Sequence, residues 1–382
     1  MKAATLEFVR QRFTEYYRGE HLVPPPSTGQ REWGFVFFDP DYPEIRMRRH
    51  IGFPGKTELL EYLRTMAPAH AYYSVAYYGT PGAGTMDEKG WAGADLVFDL
   101  DADHIMRGPY DQMLARVKTE TGKLVDMLTE EMGFDKNNLE VVFSGGRGYH
   151  VHVREIAIRS FGSAERRELI DYVCGIGIDP DLLLAVPSPS PRGWQQRYIA
   201  ALLEYLSWLD GLGEETAVSH LSAMEGVGKI TAERFYQSRH ELAGRLRSGT
   251  LPNPRDRSST GILATLQKEP GGEFVRLLRE KAALADEPVT TDTRRLIRMP
   301  TSLHGGSGLR VTTVPLRDLP DFDPLTDAVV FGTRPVKVDC TMSVTMTILG
   351  EQHTLAKGMG TVPEALAIFL CCRGIAEIAE GS

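Results

Sequence analysis

Four aspartates crowd the stretch ADLVFDLDADH, at positions 95, 99, 101 and 103, and an apolar run from Leu96 to Phe98 leads straight into Asp99. Residues two apart on a strand project to one side, so Asp99 and Asp101 would present their carboxylates together while Leu100 faces the core. Unpaired carboxylates held this close repel one another, and that cost must be offset by solvent, by basic partners or by metal ions. Such a pair suits hard divalent cations, Mg²⁺ or Mn²⁺. Two of these ions held about 3.5–4 Å apart can activate a hydroxyl and stabilise the leaving oxygen in phosphoryl transfer. A lone Asp-x-Asp is weakly specific, because nucleases, glycosyltransferases and polymerases all use it, and a solvated acidic strand end is the plain alternative. Asp95 and Asp103 read as solvated or capping residues of that kind.

A second group lies in FSGGRGYHVHV, Phe143 to Val153. Glycines let a backbone approach phosphates closely, and the hydroxyl of Ser144, the guanidinium of Arg147 and the imidazole of His150 can donate hydrogen bonds to their oxygens. The group suits a triphosphate cradle, although no Gly-Lys-Ser/Thr follows as in a Walker loop, and a tight hairpin stabilised by glycine explains it equally well. His150 and His152 alternate with valines and fall on one strand face, so either is also a candidate metal ligand, with no cysteine nearby to complete a zinc site. A third group, DEPVTTDTRRLIRMPTSLHGGSGLRV from Asp286, carries Asp292, Arg294, Arg295, Arg298 and His304. Its carboxylate, cations and histidine would complete a site for metal and triphosphate, while each taken singly fits a surface residue.

In this order, FDLDADH, then SGGRGYH, then an aspartate ahead of RLIRMPTSLHG, the chain resembles the archaeal DNA primase small subunit of the archaeo-eukaryotic primase superfamily. The likeness extends to REWGF and KGWAGADLVFDLDADH and covers most of the chain. It implies a mixed α+β catalytic fold, unlike that of the hand-shaped polymerases, with an inserted helical subdomain and a large-subunit partner in a heterodimer. It further implies that Asp99, Asp101 and Asp286 bind Mg²⁺ or Mn²⁺ as catalytic metal ligands. Asp286 stands eighteen positions before His304, as the family pattern expects, and Asp292 is ranked below it on that spacing. The same match assigns Ser144, Arg147, His150, Arg298 and His304 to the incoming nucleotide. One departure stands out: many members carry a cysteine-rich zinc site after the first motif, but residues 104–139 here hold no cysteine, so no zinc site is expected.

The elements that must position these residues follow from periodicity. Ala4 to Tyr17 predicts an amphipathic helix, REWGFVFF a strand, KTELLEYLRTMA a helix and HAYYSVAYY a strand. Tyr110 to Met132 predicts a long helix ahead of two β-rich runs joined by the glycine turn of the second group. From residue 162 to 285 several segments have helical spacing and few β-branched runs, whereas β character returns in SGLRVTTVPL and VKVDCTMSVTMTILG before a last helix, PEALAIFLCCRGIAEIAE. The expected organisation is therefore a discontinuous catalytic domain, 1–161 and 286–382, around a mainly helical subdomain, 162–285. Within the latter, HLSAMEGVGKITAERFY at 220–236 has a helix-hairpin-helix pattern whose backbone amides can meet DNA phosphates, an ordinary helix pair being the alternative. The apolar face of the last helix, Leu366, Phe369 and Ile375, reads as core.

At 382 residues and 42% hydrophobic content the chain can bury a substantial core. No apolar run approaches membrane-span length and the N-terminus lacks a signal-peptide core, so a cytoplasmic location is expected. Cys174, Cys340, Cys371 and Cys372 lack CxxC spacing and read as reduced and mostly buried. A net charge of −8 argues against coating nucleic acid by bulk electrostatics but leaves room for a local basic groove. The function expected is that of a nucleotidyltransferase making short RNA or DNA primers on single-stranded DNA from nucleoside triphosphates, to initiate replication. A stand-alone repair polymerase of the same superfamily, a metal-dependent nuclease or phosphohydrolase, and a nonenzymatic nucleic-acid scaffold are the competing readings.

Overall fold

The computed structural model describes the chain apart from residues 20, 40–45, 186–187, 189, 250–256, 270 and 380–382. Two compact units emerge, one from residues 1–125, 134–168 and 285–382, the other from 126–133 and 169–284. Helix and strand are mixed, as an α+β fold requires.

Two four-stranded antiparallel sheets organise the first unit. In one, the strand order is Arg48–Ile51, Trp33–Val36, His70–Ser74, Leu296–Arg298. Aromatic side chains build its core: Phe13, Tyr17, Trp33, Phe35 and Tyr73 are all fully buried. Each such ring contributes about 1.5–3 kcal/mol by leaving water. The predicted strand HAYYSVAYY is two strands, His70–Ser74 and Ala76–Tyr78. Between them the backbone N–H of Val75 donates to the carbonyl of Arg295, and Ala76–Tyr78 pairs instead with Trp91–Ala94.

The other sheet runs Thr312–Val314, Leu139–Phe143, Gly148–Val153, Leu96–Asp101. Leu96, Phe98 and Leu100 bury one face of the last strand, and Val97, Asp99 and Asp101 lie on the other. Register sets Val97 opposite His152, Asp99 opposite His150 and Asp101 opposite Gly148. The strand is covered at its start and opens where the aspartates begin. A smaller sheet joins Gly358–Pro363, Pro335–Cys340 and Ala376–Ile378. The last predicted helix is shorter than its apolar pattern: it spans Glu364–Cys372, ends at Gly374 with φ of 71°, and the chain continues as a strand. Leu366 and Phe369 are buried in it as expected, but Ile375 lies beyond it.

The second unit is helical. Gly193–Leu212, Glu214–Ser222, Lys229–Arg247 and Glu273–Arg279 pack around Tyr198, Tyr205, Leu221, Phe235 and Phe274. Residues 126–133 join it because Glu131 accepts from Arg197 Nε at 3.0 Å and from the Tyr172 hydroxyl at 2.8 Å. The 220–236 segment is a helix pair turning at Gly226, where φ is 80°, with Leu221, Met224, Val227 and Phe235 inside. Among the described residues no helix is long and apolar enough to cross a membrane.

Candidate active site

One cavity of about 550 Å³ in the first unit is lined by Asp99, Asp101, Ser144, Arg147, His150, Arg298 and His304. Seven of the eight residues singled out from the sequence thus share one wall system, although about two hundred positions separate the first from the last. The eighth, Asp286, does not line the cavity. It precedes the helix Glu287–Thr291, and its backbone N–H donates to the Asp99 carbonyl at 2.7 Å. Asp292 does line the cavity, but its carboxylate is engaged as a turn acceptor, taking the Arg294 N–H at 2.9 Å.

The electrostatics centre on Asp99. Burial first, then the carboxylates of Asp101 and Asp286, push its pKa up to about 7, against the relief given by Arg295 and Arg298. His150 Nε2 lies 3.4 Å from Asp99 Oδ1, but burial and the same two arginines hold its pKa at about 3. It is therefore a neutral ring that brings Asp99 no positive charge. Asp101 accepts the backbone N–H of Asp103 at 3.0 Å, and Arg147 forms an ion pair with Asp103. Among the described residues, no three His, Cys, Asp or Glu side chains converge closely enough as they stand to hold a metal ion. His152, fully buried, finds no partner among the described residues for either ring nitrogen.

Two turns pack against each other on the cavity wall. Ser144 Oγ accepts the N–H groups of Gly146 and Gly148 at 3.3 Å each, which leaves its own proton free to point outward. The turn sits against His304 so closely that a side-chain carbon at Gly145 would lie 2.8 Å from His304 Cβ, and Gly145 also has φ of 75°. Only glycine meets both demands. Ser307 ties the two turns together by donating to the Gly145 carbonyl. His304 Nδ1 accepts the Gly306 N–H at 3.1 Å, so in the neutral ring the proton resides on Nε2. Burial and the charge of Arg298 hold this imidazole well below its ordinary pKa.

Asp95, read from the sequence as solvated or capping, is instead 3% exposed. It accepts from Arg31 Nη2 at 2.7 Å and from the Tyr77 hydroxyl at 2.7 Å, and Arg154 Nε lies 3.6 Å away. Sequence reasoning also missed Arg49, Tyr72 and Arg373, which line the cavity with Arg294 and Arg295. A lone cation closing an otherwise apolar helix, as Arg373 does, was a usable signal. For Arg49 the signal is tertiary: its Nε donates at 3.1 Å to Glu32, a fully buried carboxylate of the REWGF stretch.

A mixed α+β unit brings paired aspartates and basic, glycine-bound turns together in one cavity, and comparison with known proteins identifies the family. The family model described as DNA primase small subunit matches residues 98–316, and the chain belongs to that family. The protein named DNA primase small subunit from Methanoregula boonei is 60% identical over 99% of this chain and all of its own length. Those of Methanosphaerula palustris and Methanospirillum hungatei are 52% and 50% identical, covering 100% and 99% of this chain and 100% and 98% of their own.

Proposed function

We propose that this chain is the catalytic small subunit of an archaeal DNA primase, a nucleotidyltransferase that builds primers on single-stranded DNA. One observation carries the reading: a carboxylate pair and a set of arginines and neutral histidines, from three distant sequence motifs, line one cavity of about 550 Å³. By donor chemistry the carboxylates of Asp99 and Asp101 on the cavity wall suit hard divalent cations, with Asp286, whose charge acts on Asp99, as the third ligand proposed, and the charge gathered at Asp99 is what such cations would neutralise. Mg²⁺ or Mn²⁺ held there would supply activation of the primer 3′-hydroxyl and stabilisation of the departing pyrophosphate.

The remaining work falls to the protein's own groups. Arg298 and Arg147 offer planar donor forks to phosphate oxygens, and Ser144 and His304 Nε2 add single donors. None of these need release a proton, so their task is to orient the triphosphate with its α-phosphorus toward the attacking hydroxyl. Among the described residues, the six arginines on the wall (49, 147, 294, 295, 298 and 373) outweigh its three aspartates (99, 101 and 292), which makes a basic cavity in an acidic protein. Initiation must order two free nucleotides on a template, and the entropy of that ordering limits it more than bond chemistry does. A large subunit gripping the first nucleotide would lower that cost.

The test is labelled-nucleotide incorporation on an unprimed single-stranded template with Mg²⁺ or Mn²⁺, with and without a co-expressed large subunit. Wild type should give products that vanish on chelation and in Asp99→Ala. Template degradation would instead favour the nuclease, and full activity without any large subunit the stand-alone polymerase.

A further inference from the structure

His70 belongs to none of the three motifs, yet it meets the third at two places, Arg298 and the turn at Gly305. It opens the strand His70–Ser74, is 5% exposed, and does not line the cavity. Its Nδ1 accepts from Arg298 Nη1 at 2.6 Å and lies 3.3 Å from the backbone N–H of Gly305. A nitrogen that accepts twice carries no proton, so the ring is the neutral Nε2–H tautomer. Burial and the Arg298 charge beside it hold its pKa well below the ordinary value, in agreement with that tautomer.

Strand register explains how the contact arises. Tyr72 pairs opposite Arg298, and His70, two residues earlier, lies on the same face as Tyr72. The guanidinium of Arg298 therefore lies over the Tyr72 ring, 5.0 Å from its centroid, with His70 taking one of its N–H groups. The His70 and His304 rings meet edge to face with centroids 5.0 Å apart. One buried acceptor thus fixes the direction of a cavity arginine and the start of the turn that carries the cavity histidine.

We propose that His70 is a positioning residue, which aims Arg298 and seats the 304–308 turn so that both meet the triphosphate of the incoming nucleotide. This rests on the nucleotide-binding reading of the cavity given above. A guanidinium with no buried acceptor would sample other rotamers, and each lost bidentate contact weakens phosphate binding. The effect belongs in nucleotide affinity more than in turnover.

The experiment compares His70→Leu with His70→Asn, whose Oδ1 can stand where Nδ1 stood. ATP binding is measured at equilibrium in the presence of Mg²⁺, and KM and kcat in primer extension. His70→Leu should weaken ATP binding and raise KM about tenfold with kcat within about threefold, and His70→Asn should restore both to within about threefold of wild type. In an Arg298→Ala background His70→Leu should add no more than about threefold, because one of the two groups it acts through is gone and only the 304–308 turn remains. Equal losses in the leucine and asparagine variants, or effects that multiply fully with Arg298→Ala, would overturn the proposal. Should the leucine variant lose its thermal transition, His70→Gln takes its place, since its acceptor cannot reach the Nδ1 position. A wild type that binds ATP yet makes no primer refutes primer synthesis while leaving the His70 comparison readable by binding alone.

Discussion

Asp95 and Asp99 stand four residues apart, and the protein treats them in opposite ways. Asp95 is enclosed by Arg31, Tyr77 and Arg154, so its charge is matched by cations and a hydroxyl and the group serves the fold. Asp99 is partly buried, and beside it lie two more carboxylates and a neutral imidazole, while Arg295 and Arg298 act on it only through space. A buried charge is retained either because partners have been built for it or because a partner arrives from outside. The difference teaches that burial alone does not mark a functional carboxylate. What marks it is a cluster of carboxylates in which, among the described residues, no arginine or lysine is ion-paired to Asp99.

Substitution should break the pair apart. The largest effect is expected at Asp99: Asp99→Ala should lower nucleotide incorporation by about a thousandfold or more, on the order of 4 kcal/mol of barrier. Its thermal midpoint should equal or exceed that of wild type, because a repulsive group has gone. Asp95→Ala should do the reverse, lowering unfolding free energy in denaturant titration by about 3–5 kcal/mol, since Arg31 is left buried without its carboxylate. Its residual activity per folded molecule should stay near that of wild type. Arg298→Ala should raise the KM for nucleoside triphosphate by about ten- to a hundredfold, on the order of 1.5–3 kcal/mol for a charged hydrogen-bonding partner. Asp103→Ala, which frees Arg147 from a half-exposed ion pair, should change stability by less than about 1 kcal/mol and nucleotide KM by no more than severalfold.

Part of this was legible in the sequence and part was not, for physical reasons. The hairpin of Leu139–Phe143 and Gly148–Val153 was readable because a glycine turn between alternating valines admits few other structures. The aspartate pair was readable because period-two geometry fixes which side chains share a face. HAYYSVAYY was not divisible from its pattern, since its break at Val75 is made by a carbonyl more than two hundred residues away. The last helix stopped earlier than its apolar residues suggested because Gly374 adopts positive φ and the chain then completes a sheet. Asp95 was misread for a related reason: its partner Arg31 lies sixty-four residues away, and four aspartates in a row look alike until their cations are located. Arg49, Tyr72 and His70 reach the site through strand pairing, which no local spacing reveals.

The contrast between the two aspartates is tested most directly by Mn²⁺ binding, followed by electron paramagnetic resonance on the folded protein without nucleotide. Wild type and Asp95→Asn should bind Mn²⁺ alike at a temperature where both are folded, and Asp99→Asn should bind at least tenfold more weakly. Equal affinity in wild type and Asp99→Asn would contradict the account, because the unmatched carboxylates would then not be a cation site.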